Sequence, residues 1–154
     1  MKLTDKGSIV APPVLAGWAQ PVLREIQSWP NVICATHWLF GNPGVVDGAD
    51  FYIDDHELGH IHLDGEIHLV LTKAVKQTII ESGYAEAFRW DKNFVQFRIR
   101  NRHSAQHALW LFELSYDQIR GESESVLIER IALANPFSEN EVQGGLKADK
   151  VDEK

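Results

Sequence analysis

Apolar residues recur along this chain with two different periods, and the switches between them mark out its elements. Val22, Leu23 and Ile26 give one buried side to a short helix that opens at Pro21, runs through Ser28 and stops at Pro30. Val32 to Leu39 reads as a strand ended by Gly41-Asn42-Pro43-Gly44, and Ala49 to Ile53 as a second. Thr72 caps a helix through Ser82, with Val75 and Ile79 one turn apart and Gly83 just past its end. Ala85 to Arg89 and Phe94 to Arg100 read as two further strands around an Asp91-Lys92-Asn93 turn. Ser104 is the expected cap of a longer helix to Gln118, closed by Gly121. Val126 to Ala134 fits neither period and reads as strand or helix.

Between these elements, residues 56 to 71 hold four of the seven histidines and support two incompatible structures. As a helix, His56-Glu57-Leu58-Gly59-His60 is the HExxH zinc-hydrolase signature, with His56 and His60 as ligands one turn apart and Glu57 as the base. As strands, the residues flanking Asp64-Gly65 alternate in a β-hairpin. A three-residue loop of Leu63, Asp64 and Gly65 pairs His62 with Glu66, Ile61 with Ile67 and His60 with His68. One face then carries His60, His62, Glu66 and His68, and the other Ile61, Ile67 and Leu69. A two-residue loop mixes polar and apolar side chains on both faces. The helix fares worse, because Gly, Asp and β-branched residues crowd its N-terminal side and the extended pattern finds Leu63 and Glu66 where Gly and His belong.

Length and charge narrow the classes. With 154 residues, five Trp and seven Phe, the chain forms one domain with a sizeable core. The expected fold is α+β: an antiparallel sheet of about six strands with helices packed on one side over residues 1–136, followed by a mobile polar tail at 137–154. A single cysteine, Cys34, excludes an intrachain disulfide and a multi-cysteine zinc site. The N-terminus lacks an apolar signal core and no stretch reaches membrane-span length, so the chain reads as cytoplasmic, with no membrane partner. A net charge of −7 opposes general nucleic-acid binding.

The run Glu57-Leu58-Gly59-His60-Ile61-His62-Leu63-Asp64-Gly65, the Gly83-Tyr84-Ala85-Glu86 segment, the Phe-rich strand, and Ala108-Leu109-Trp110-Leu111 with Ser115-Tyr116 resemble the small bacterial and fungal proteins of the luciferase-domain family over roughly residues 20 to 120. That resemblance starts the motif at Glu57 and leaves His56 outside it. It implies no particular chemistry. Flavin-dependent bacterial luciferases are (β/α)₈ barrels too long for this chain, and no Gly-rich dinucleotide fingerprint follows a strand. A more distant likeness is to YjbR-type proteins, which share a meander and a last helix ending in Ser-Tyr.

Three function classes follow. The face of His60, His62, Glu66 and His68 suits a polar ligand or a transition metal on His60, His62 and His68, against the plainer reading of a solvated sheet face. Gln96, Arg98 and Arg100, with Arg102 and His103 beyond, suit a carboxylate or phosphate if their strand lies beside the hairpin, with Trp38, Tyr84 and Trp90 to wall the pocket. A protein-interaction module would instead expose its aromatics. The expectation is a ligand- or partner-binding domain, for a small molecule or a protein, with no organic cofactor; a metal-dependent hydrolase on His56, Glu57 and His60 is the alternative. Changing Glu57 to Gln separates them: hydrolysis should vanish in an assay of the hydrolase, whereas a binding hairpin should stay folded by circular dichroism.

Overall fold

The computed structural model describes residues 1–134, so the expected tail at 137–154 lies outside the described residues. Among these residues, six strands pair antiparallel throughout, in the order β1 (Ile33–Leu39), β2 (Asn42–Ile53), β3 (His56–His62), β4 (Glu66–Val70), β6 (Phe94–Arg98), β5 (Glu86–Ala87). Among the described residues, four α-helices complete the α+β fold: α1 (Ala19–Gln27), α2 (Lys73–Glu81), α3 (Arg102–Ile119) and α4 (Glu124–Leu133). None is long and apolar enough to cross a membrane.

The histidine segment is a hairpin. Its register, Ile61 opposite Ile67 and His60 opposite His68, is the one the three-residue loop demands, and Gly65 takes the positive φ of 89° that such a loop needs. Paired residues share a face, so two apolar rows cross the sheet: Ala49, Ile61, Ile67 and Phe97, then Phe51, Gly59, Leu69 and Val95. Helix α3 packs on these rows. Phe112 meets Phe51 edge-on at 5.4 Å, and a Cβ at Gly59 would lie 3.2 Å from the Phe112 ring and 2.4 Å from the His68 carbonyl. Burying such an aromatic contributes about 3–5 kcal/mol, as its truncation would reveal. Ile26, Ile79 and Leu127 bring α1, α2 and α4 into the same core.

Several boundaries differ from those expected, for local reasons. Strand β2 begins at Asn42, so Pro43 and Gly44 lie inside it and the turn falls at Phe40-Gly41. Helix α1 starts two residues before Pro21, which stays within the first turn, where its missing N–H is harmless. Asn101, not Ser104, caps α3: its side chain accepts the Ser104 N–H at 2.9 Å, and Ser104 Oγ accepts the Asn101 N–H in return. The ambiguous segment after residue 123 is helix α4, capped by Ser123. Strands β5 and β6 are shorter than expected, and Arg100 lies past the end of β6.

The register shifts at three places, between Trp38 and Leu39 near the β1–β2 turn and at two single-residue bulges. Between β1 and β2, His37 faces Gly48 but Trp38 faces Val46, leaving Asp47 as an extra residue. Between β2 and β3, Phe51 faces Gly59 but Tyr52 faces Glu57, leaving Leu58 extra. Ser115 Oγ reaches the carbonyls of Leu58 and Val70, both at 2.9 Å, and its single proton serves one at a time. Gly48, at φ 153°, has room for no side chain: a Cβ would sit 1.9 Å from the Ile61 carbonyl oxygen. Gly48→Ala should therefore lower unfolding free energy by about 2–4 kcal/mol in urea titration; a loss under about 0.5 kcal/mol would show that the β2 bulge yields freely.

Candidate functional site

Alternation along β2 and β3 puts residues 48, 50, 60 and 62 on the face away from the helices. The bulges add two more. Asp47 and Asp50 are an odd number of residues apart, as are Glu57 and His60, so a regular strand would send each pair to opposite sides. The extra residue in each strand reverses that parity, and both carboxylates join the histidines. Cross-strand pairing aligns Ala35, Asp50, His60, His68 and Gln96 in one row and His37, Gly48 and His62 in the next. Because Gly48 has no side chain, the His37 and His62 rings approach over it to 5.1 Å.

The result is a cluster of four imidazoles. His37 stacks on His60 at 4.1 Å, and His60, His62 and His68 meet nearly edge to face at 4.6–5.0 Å. Each of three histidines gives Nδ1 to a carboxylate: His37 to Asp50 at 2.8 Å, His60 to Glu57 at 2.7 Å, and His62 to Asp47 at 2.8 Å. His68 Nδ1 lies 3.0 Å from His60 Nε2 and 3.1 Å from His62 Nε2. A continuous chain therefore runs from Glu57 through His60, His68 and His62 to Asp47. Lys6, from a 3₁₀ turn at Leu3–Lys6, reaches Asp50 at 3.2 Å and Glu57 at 3.0 Å.

Burial sets the protonation states here. Desolvation pushes His60 down to about 4, against the opposing pull of Glu57, and pushes His68 down to about 3 with help from the neighbouring imidazoles. Both are neutral at pH 7. Burial alone would raise the Glu57 carboxyl, but the hydrogen bonds and charges of His60 and Lys6 outweigh it and hold it at about 2. One ring nitrogen each of His37, His60 and His62 lie within 4.8 Å of one another, as do one ligand atom each of Asp50, Glu57 and His60. The cluster can thus hold a metal ion.

Of the side chains expected from sequence, the fold brings His60, His62 and His68 together and leaves the others apart. Glu66 sits at the margin, 3.9 Å from His68 Nε2. Arg98 is held by Asp64 at 3.2 Å and by Glu66 at 3.7 Å, so its charge is matched within the hairpin. Arg100 is exposed, in a groove with Gly17, Trp18 and Leu63. Strand β6 lies beside the hairpin with Gln96 opposite His68 and Arg98 opposite Glu66, and it ends before Arg100. Arg102 opens α3 with His103 beside it. Trp38, Tyr84 and Trp90 have separate partners: Trp38 bonds the Ser8 carbonyl, Tyr84 packs on His107 and Trp110, and Trp90 is exposed under Arg89. Phe88 and Phe94 flank His68 instead, at 4.1 and 6.0 Å.

The HELGH pentapeptide is extended. His56 is exposed opposite Ile53 at the start of β3, so His56 and His60 are not one helical turn apart and the helical zinc motif is absent. Sequence reasoning missed His37, Asp47 and Asp50, and it placed Glu57 only in the hydrolase. Burial also pushes the Cys34 thiol up to about 12, with Asp50 adding to it, which keeps it protonated at neutral pH.

Residues 55–115 match the model of a family described as the Luciferase domain, as the resemblance implied. That span runs from β3 into α3 and contains Glu57, His60, His62 and His68, whereas His37, Asp47 and Asp50 precede it. No curated protein and no solved structure matches the chain.

Neutral buried histidines make stability depend on pH with a definite sign. His60 and His68 bind protons below about pH 6.5 when unfolded but only near 4 and 3 when folded, so their contribution is complete above 6.5 and is lost as pH falls toward those values. Glu57, lowered from 4.5 to about 2, adds to the loss below pH 4.5. Urea unfolding in chelator should show stability falling between pH 6 and 4 with a slope approaching about 2.7 kcal/mol per unit. A flat profile there would mean that the two imidazoles are not held neutral.

Proposed function

We propose that this domain binds one divalent transition-metal ion through His60, His62 and His68, with His37 as the fourth imidazole. The observation that carries this reading is the commitment of Nδ1 protons. An ionised carboxylate only accepts, so an imidazole bonded to it donates from Nδ1 and, when neutral, presents Nε2 as a lone pair. His60 and His62 both do so toward His68 Nδ1, which has at most one proton to share between them. A cation satisfies these lone pairs together. Carboxylates that orient metal-binding imidazoles through their second nitrogen are a recurrent support of such sites.

Two distances and the charge balance support this assignment. Nitrogens at 3.0 and 3.1 Å are close to the edge of about 3.3 Å that a tetrahedral site with bonds of about 2.0–2.1 Å requires. Asp47, Asp50 and Glu57 face a single ammonium, Lys6, so the cluster carries an excess of two formal negative charges, which a dication neutralises. Imidazole donors favour zinc, copper, nickel or iron over magnesium or calcium.

The same contacts favour holding a metal over using it for hydrolysis. Four imidazoles fill a tetrahedral ion and leave no position for water. Glu57 is committed through Oε2 to His60 and through Oε1 to Lys6 and Tyr52, so it is not available as a base.

Elemental analysis of untagged protein purified without chelator should find about one equivalent of such a metal, lost in a His60→Ala/His68→Ala double variant that keeps its circular dichroism. Protein that is metal-free and takes up neither Zn²⁺ nor Co²⁺ on dialysis would overturn the assignment.

A further inference from the structure

Beside the imidazoles, on the same sheet face, lies a second group of ligand-type atoms from Asp50, Glu57 and His60, all within 4.8 Å of one another. Its two carboxylates already share a charge from the chain itself. Lys6 Nζ sits 3.2 Å from Asp50 Oδ1 and 3.0 Å from Glu57 Oε1, with its side chain 13% exposed and the Tyr52 ring 5.0 Å below. We infer that Asp50 and Glu57 form a second cation half-site, which the fold fills with the Lys6 ammonium so that the histidine face takes one metal ion and not two.

Three observations bear on this. Asp50 is fully buried, and its Oδ2 has no hydrogen-bond partner, so a buried carboxylate oxygen remains with a lone pair to offer. Glu57 already divides its oxygens between the two groups: Oε2 orients His60, while Oε1 faces Lys6. Lys6 belongs to neither the sheet nor a helix of the core. It arrives on a terminal segment fastened by separate contacts, from the Tyr52 hydroxyl to the Met1 carbonyl, Trp38 to Ser8, and Thr36 to Val10 and Ala11. A long, flexible stem from such a segment supplies a cation without changing the sheet. Two carboxylate oxygens suit a harder ion than the imidazoles do, with Mn²⁺ a fitting probe.

The inference rests on the metal reading only for the total number of ions, and the test separates the two. Wild-type protein and a Lys6→Met variant, each first dialysed against Zn²⁺ and then freed of excess, are titrated with Mn²⁺, counting bound Mn²⁺ by the loss of free-ion electron paramagnetic resonance signal. The expected result is one additional equivalent in Lys6→Met, none in wild type or Lys6→Arg, and none once Asp50→Asn and Glu57→Gln are added to Lys6→Met. Equal uptake by wild type and Lys6→Met overturns the inference, as does uptake that survives loss of both carboxylates. If wild type takes no Zn²⁺ but Lys6→Met takes Mn²⁺, the four-imidazole assignment fails and the half-site stands; one Zn²⁺ in both and no Mn²⁺ in either is the reverse. Should Lys6→Met not fold alone, recovery of its circular dichroism on adding Mn²⁺ supports the half-site. Failure to recover, repeated with Lys6→Gln, overturns it.

Discussion

A buried carboxylate must be matched by donors, and the polar face of this sheet is organised around meeting that requirement three times. Leaving one ionised carboxylate unpaired in such a place costs several kcal/mol, comparable to the net stability of a domain this size. Asp50, fully buried, and Glu57, nearly so, take an imidazole N–H each and share the Lys6 ammonium; Asp47, nearer solvent, takes His62. The placement of Gly48, the two bulges and the terminal segment all serve these pairings. His60 and His62 are thereby fixed in orientation, with Nε2 turned toward His68 Nδ1.

The two faces of the sheet are built by different physics. On the helical face, apolar rows bury against α3 with little directional demand, and Gly59 lets Phe112 lie close to the backbone. On the other face, the contacts of the carboxylates with the imidazoles are hydrogen bonds with an identifiable donor and acceptor. Leu58 joins the two: its side chain is in the core, its carbonyl reaches Ser115, and its insertion turns Glu57 toward His60. Ser115 closes the span matched by the Luciferase-domain family, so that span includes both the bulge and the hydroxyl that satisfies it.

The HELGH segment illustrates how one string of residues carries different chemistry at different periods. On a helix, His56 and His60 converge and Glu57 lies beside them. At the strand period with one extra residue, His56 points to solvent and Glu57 becomes the partner of His60 Nδ1. The same glutamate changes from a base for water into a support for an imidazole. Geometry decides between these roles, since the residue types serve either.

Much of the fold and three histidines of the candidate site were legible in the residues alone. Strict alternation and Asp64-Gly65 determined the hairpin, its register and the convergence of His60, His62 and His68, because turn geometry and a two-residue period act over short distances. The helical stripe of α2 and the α+β order followed from the same local periods. Tertiary structure alone decided that His37 joins the cluster, since strand β1 reaches the hairpin only through β2. It also decided that Asp47 and Glu57 face the histidines, because a bulge reverses the parity on which sequence reasoning depends. Likewise Arg98 and Arg100 part company where β6 ends, and Lys6 reaches Asp50 and Glu57 through folding that brings residues 44 and 51 positions away to it. Pairings over such separations depend on how the whole chain packs, and no local pattern of hydrophobic and polar residues encodes them.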